Sequence, residues 1–275
     1  REAGGIVLAK SNMAEFAFSP FETVGSRLPG YTRNPYALNR VSAGSSGGTA
    51  AAVAASFGAI GLGTDTGNSI RGPASHQSLV GIRSTMGLTS RDGIVPLNLS
   101  RDIGGPLART VADAVAILDV IAGYDPADPV TEESQNRRPE RYSDFLLAEG
   151  LMGTRIGVLR DLSDETADPE VIERLDEALE DMRRLGAVIV DPVTVAFDDR
   201  SEPGPPPGCS HLRFELDAYL GSLGPDVPVK SLEEIVDSGR FHPTVGPRLE
   251  AALEVDLPPD EQPGCLERAE RDEQL

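Results

Sequence analysis

The sequence predicts an α/β fold. Thr49 to Gly58 is an alanine-dominated run of strong helix formers closed by glycine, and it leads directly into Ala59 to Leu62, a short apolar run that reads as a buried strand. Further on, Arg155 to Leu159 reads as a strand, Asp168-Pro169 as a helix start, and Ala187 to Val190 as a second strand after Gly186. The helix between them carries one apolar stripe, Val171, Ile172, Leu175, Ala178, Leu179 and Met182. Such a β-α-β unit implies a parallel strand pair with a right-handed crossover.

The other elements follow in order. Gly5 to Ala9 reads as a strand, Asn12 to Phe18 as a short helix, and residues 19–43 as a long loop punctuated by Pro20, Pro29-Gly30 and Pro35. A loop of that length is more often functional than accidental. Thr110 with Asp113 approximates a capping box, and Val111, Ala114, Val115, Leu118 and Ile121 form the core face of a helix ended by Gly123. Residues 124–142, rich in proline and charge, read as a surface excursion; 203–208 break the pattern, and 209–275 read as mostly helical. The expected organisation is a single domain over 1–275: a core at 1–123, a β-α-β extension at 124–208 and a helical part at 209–275.

Composition excludes several functions. A net charge of −19 argues against direct nucleic-acid binding, which needs clustered cations. No apolar run approaches the roughly 20 residues that span a bilayer, so no membrane partner is expected. Cys209 and Cys265 show neither metal-ligand spacing nor a disulfide framework, so the expectation is no metal, unpaired thiols and a reducing, cytoplasmic setting.

The chemistry lies in two clusters of very small residues, Gly44-Ser45-Ser46-Gly47-Gly48 and Gly63-Thr64-Asp65-Thr66-Gly67-Asn68-Ser69-Ile70-Arg71. Glycine is kept where the backbone turns sharply or approaches another group closely, so two such clusters flanking one helix imply converging segments. Alone, a Gly/Ser cluster before a helix is often only a tight turn or a phosphate loop, but the Gly-Lys-Ser/Thr of a P-loop is missing. Successive N–H groups of Thr66, Gly67, Asn68 and Ser69 suit a nest for a developing oxyanion.

The segment 44–74, with Gly81-Ile82-Arg83-Ser84-Thr85-Met86-Gly87 and Gly105-Pro106-Leu107-Ala108-Arg109-Thr110-Val111-Ala112-Asp113, resembles the amidase signature family of serine amidohydrolases. The resemblance implies a mixed, mainly parallel central sheet wrapped by helices, a small-molecule amide substrate and no cofactor. It also implies a Ser-cisSer-Lys triad in which Ser69 is the acyl-forming nucleophile and Ser45, after a cis peptide bond, relays the proton. The backbone N–H groups of 66–69 become the oxyanion hole, and Ser46, Asp65 and Arg71 supporting residues. A homodimer is compatible with it.

Two departures stand out. Asn68 occupies the second position of the glycine pair expected before the nucleophile; it reads either as a contact to the substrate amide or as a left-handed turn residue. The family lysine precedes the bridging serine by a wide margin, whereas the only lysines here are Lys10 and Lys230, and Lys10 matches a later family segment. The chain is therefore expected to be a catalytically incomplete fragment whose parent supplies the base. Alternatives are the A subunit of an aminoacyl-tRNA amidotransferase, with its partner subunits, and a non-catalytic relic that binds amides or scaffolds a partner. A Ser-His-Asp triad through His76 is the rival mechanism, weakened because the G-x-S-x-G elbow lacks its final glycine. Arg71 reads as a tie to Asp65 or a backbone carbonyl before it reads as a carboxylate binder. His211 and His242 read as structural or surface groups.

Overall fold

The computed structural model describes residues 2–160, 167–194 and 209–272. The chain divides into two compact units, Arg1–Tyr142 with Pro205–Leu275, and Ser143–Gly204. The architecture is mixed α/β.

The first unit opens with an extended segment in which Ile6, Val7 and Leu8 are exposed and pair with no described strand. The strand expected at 5–9 is thus absent, because an apolar run becomes a strand only where a neighbour takes its backbone groups. The helix expected at 12–18 shrinks to a 3-10 turn, Glu15–Ala17. The long loop holds a small antiparallel hairpin, β1 (Val24–Ser26) with β2 (Gly30–Thr32), whose strands are too short to leave a periodic signal.

Helix α1 (Gly47–Ala54) begins earlier than expected and ends with Ser56, not Gly58, in the left-handed region. It lies on β3 (Ile60–Asp65), the first strand of a three-stranded antiparallel sheet with β5 (Ile103–Ala108) at its centre and β4 (Val80–Gly81) on the far side. Close approach of α1 to β3 depends on glycine: a Cβ at Gly61 would lie 2.3 Å from Thr49 Cγ2, and one at Gly63 2.6 Å from Ser46 Oγ. Between β3 and β4 comes α2 (Arg71–His76), and Ile70, Ala50, Ala74 and Leu107 form the buried cluster behind the turn. Helix α3 (Val111–Ile121) is capped by Thr110, whose hydroxyl oxygen accepts from the Asp113 N–H as the sequence predicts.

Residues 209–272 supply α5 (Leu212–Ser222), α6 (Leu232–Ser238), α7 (Gly246–Leu253) and α8 (Pro263–Asp272). Their core of Leu212, Leu216, Leu220, Leu232, Val245 and Leu249 receives Phe16, Phe18 and Leu97 from the earlier part of the chain. Cys209 and Cys265 form a disulfide, which corrects the expectation of unpaired thiols. The fold brings together two positions whose spacing carries no pattern, and the cysteine count no longer argues for a reducing compartment.

In the second unit, β6 (Arg155–Gly157) pairs in parallel with β7 (Val188–Val190), and α4 (Pro169–Arg184) connects them. Asp168 caps α4 by accepting from the Glu170 N–H. The break expected at 203–208 lies outside the described residues. Among the described strands antiparallel ladders outnumber the parallel one, so the sheet character is mixed.

Candidate active site

The two small-residue clusters meet. The Ser46 N–H donates to the Ser69 carbonyl at 3.2 Å, and the Ser46 hydroxyl both donates to the Thr64 carbonyl and accepts from the Thr64 N–H, each at 3.1 Å. Ser46 therefore rivets the start of α1 to the end of β3. The Gly44-Ser45 peptide bond is cis. Ser45 is fully buried, its carbonyl accepts from the Ala14 N–H, and its hydroxyl has no hydrogen-bond partner among the described residues. Buried hydroxyls are normally paired, so an orphan beside this turn is unusual. Gly48 is indispensable nearby, since a Cβ there would stand 2.0 Å from the Asn12 carbonyl oxygen.

Asp65, completely buried at the end of β3, organises the turn that carries Ser69. Its carboxylate accepts from the Ile70 N–H at 3.1 Å, from Arg71 Nε at 3.2 Å and from an Arg83 guanidinium nitrogen at 3.0 Å. Burial pushes its carboxyl up, but the hydrogen bonds from Arg71 and Ile70 and the charges of Arg71 and Arg83 outweigh it and hold the pKa below the ordinary value. Arg71 also donates to the Gly67 carbonyl, so it ties both Asp65 and the loop, the structural role expected of it. The N–H groups of Ile70 and Arg71 are thus taken, whereas those of Thr66, Gly67, Asn68 and Ser69 have no protein acceptor among the described residues. Ser69 is half-buried and Ile70, directly after it, is an anchor in the core.

Two residues here escape sequence reasoning. Arg83 donates to the Asp65 carbonyl as well as to its carboxylate, and to the Arg101 carbonyl, bracing the turn from the segment after β4. Asp102 accepts from the Thr66 hydroxyl and from the N–H groups of Leu97 and Asn98. Burial dominates there and raises its pKa, the opposite of Asp65. The only sequence signal for Arg83 is its place in the 81–87 motif; Asp102 has none.

Asn68 is not in the left-handed region, which corrects the turn reading; its side chain lies against α2, where a Cβ on Gly72 would be 2.3 Å from its amide nitrogen. His76 is exposed, and its carbonyl accepts from Asn34. Lys230 donates to the Leu223 and Gly224 carbonyls, and Lys10 is exposed. The ligand atoms of Cys209, His211 and Cys265 lie within 4.8 Å of one another, but sulfurs bonded to each other are not thiolates able to hold a metal. No described helix is long and apolar enough to cross a membrane.

The Amidase family model matches residues 1–201. The chain belongs to this family. It is 38% identical over 247 residues to a probable amidase of Arabidopsis thaliana, covering 86% of this chain and 46% of that protein. It is 45% identical over 190 residues to the A subunit of the glutamyl-tRNA(Gln) amidotransferase of Microcystis aeruginosa, covering 69% of this chain and 38% of that protein. The native peptide amidase of Stenotrophomonas maltophilia superposes with a TM-score of 0.79 at 32% identity, over 98% of this chain and 56% of that one. The chain thus spans under half the length of these two curated relatives.

Proposed function

We propose that the protein to which this chain belongs hydrolyses a carboxamide through an acyl-enzyme on Ser69, with Ser45 as proton relay. The observation that carries the reading is the buried, unpaired Ser45 hydroxyl in a segment hydrogen-bonded to the Ser69 carbonyl through Ser46. In the first step Ser69 Oγ attacks the amide carbon. Its proton passes to Ser45 Oγ while the Ser45 proton moves to a base, and the negative oxygen of the tetrahedral intermediate is received by the open N–H groups of 66–69. Collapse expels ammonia or an amine, which takes the proton back along the relay, and water then hydrolyses the ester. Neither Lys10 nor Lys230 is assigned the base; in this reading it is a lysine outside residues 1–275, as the family resemblance implies.

Similarity to the Arabidopsis amidase extends over 86% of the chain against 68–80% for amidotransferase A subunits, which supports an amidase acting alone over a glutamine-hydrolysing subunit with partners. The test is turnover of simple amides by the protein encoded in the full reading frame. Ser69→Ala is expected to abolish ammonia release and Ser45→Ala to lower kcat by at least about a hundredfold, the usual worth of positioned proton transfer. Unchanged kcat in Ser45→Ala overturns the relay, and turnover in Ser69→Ala overturns the nucleophile.

A further inference from the structure

A cavity of about 170 Å³ shares Thr66 with the turn that carries Ser69. For scale, a cavity of about 150 Å³ holds a benzene ring. Its walls include Arg101, Arg248, Arg268, His211 and Asn98, and among the described residues no aspartate or glutamate lines it, in a chain of net charge −19. Three arginines lining one cavity stand out in a molecule so rich in acids.

Arg248 is the decisive member. Its guanidinium carbon lies 4.6 Å from the centroid of the Phe18 ring, and it makes no ion pair among the described residues. Protein around it disfavours the charge and lowers its pKa, yet the residue is exposed and lines the cavity. Two acids bonded to residues of this wall are already engaged: Glu215 accepts from the Leu99 N–H and bonds His211 Nδ1, and Asp102 is held by Thr66, Leu97 and Asn98. The Cys209–Cys265 disulfide ties the segment bearing His211 to α8, which bears Arg268, so two walls are held together covalently.

Resting on the amidohydrolase reading, we propose that this cavity is an anion subsite that receives a carboxylate of the substrate, making the preferred substrate an amide that also carries a carboxylate. A planar guanidinium and a carboxylate match in shape and charge.

The test compares binding of succinamate with binding of its neutral diamide, succinamide, by calorimetry on the Ser69→Ala protein. Succinamate is expected to bind about tenfold or more tightly, the worth of one charge-assisted hydrogen bond. Arg248→Met is expected to erase that preference and leave succinamide affinity unchanged, with Arg248→Lys retaining part of it. Equal affinities for the two probes, or an undiminished preference in Arg248→Met, overturn the proposal; where Arg248→Met does not fold, the two-probe comparison alone decides. A succinamate preference in a protein that turns over no amide sinks the amidohydrolase reading and leaves the anion site standing. Turnover without the preference does the reverse.

Discussion

Residues 42–71 and residues 155–190 are both short successions of helix and strand, yet opposite means hold them. In the second region, α4 has a capped start, a single fully buried residue, Leu179, and exposed ion pairs such as Arg174–Glu177 and Arg183–Glu180. Its order comes mainly from periodicity and local bonds, with Arg160, which bonds Asp176 and Asp191, the exception. In the first region the bonds join distant groups: Ser46 to Thr64, Asp65 to Arg83, Gln77 to the Ser42 carbonyl, with glycines letting backbone and side chains touch. The difference teaches that the site is specified by individual atoms and the β-α-β unit by pattern, so single substitutions should matter far more in the first.

The largest effect is expected from Asp65→Ala. It strips Arg83 and the Ile70 N–H of a buried partner, and with Arg71 half exposed the loss falls at the lower end for a broken buried pair, about 3 kcal/mol by denaturant unfolding. The pH dependence follows from the sign of the shift. Because the native carboxyl sits below the ordinary value of 3.8, the wild-type advantage is fully present above that value and fades as pH falls through the lower native pKa. An advantage that grew on acidification would contradict the account. Next comes Gly63→Ala, whose Cβ would press on Ser46 Oγ at 2.6 Å and Leu107 Cδ1 at 2.9 Å; overpacking there should cost about 2 kcal/mol and reduce activity with it.

In the pattern-built region the expected losses are smaller. Asp168→Ala removes the α4 cap and should weaken amide-exchange protection across 169–184 by about 1 kcal/mol, without touching Ser69 chemistry. Arg174→Ala breaks an exposed pair and should change stability by no more than about 0.5 kcal/mol. A reversal of this ranking, with Arg174→Ala costing more than Asp65→Ala, would dissolve the contrast between the regions.

The same contrast decides what the sequence made legible. Thr110 and Asp168 were readable as caps, and the parallel pairing of β6 with β7 as a β-α-β unit, because each is set by nearby residues. The meeting of the serine clusters was readable from glycine content and family likeness. Arg83 bracing Asp65, Asp102 holding Thr66 and the pairing of Cys209 with Cys265 were not, since tertiary contacts alone create them. The apolar run at 6–8 misled for the converse reason: a suitable pattern found no described strand to pair with.

The most direct measurement is covalent labelling by a fluorophosphonate, mapped by mass spectrometry, on the protein encoded in the full reading frame, with Ser69→Ala as control. The account predicts a single adduct on Ser69 that disappears in the control. An adduct on another residue, or none at all, would contradict it.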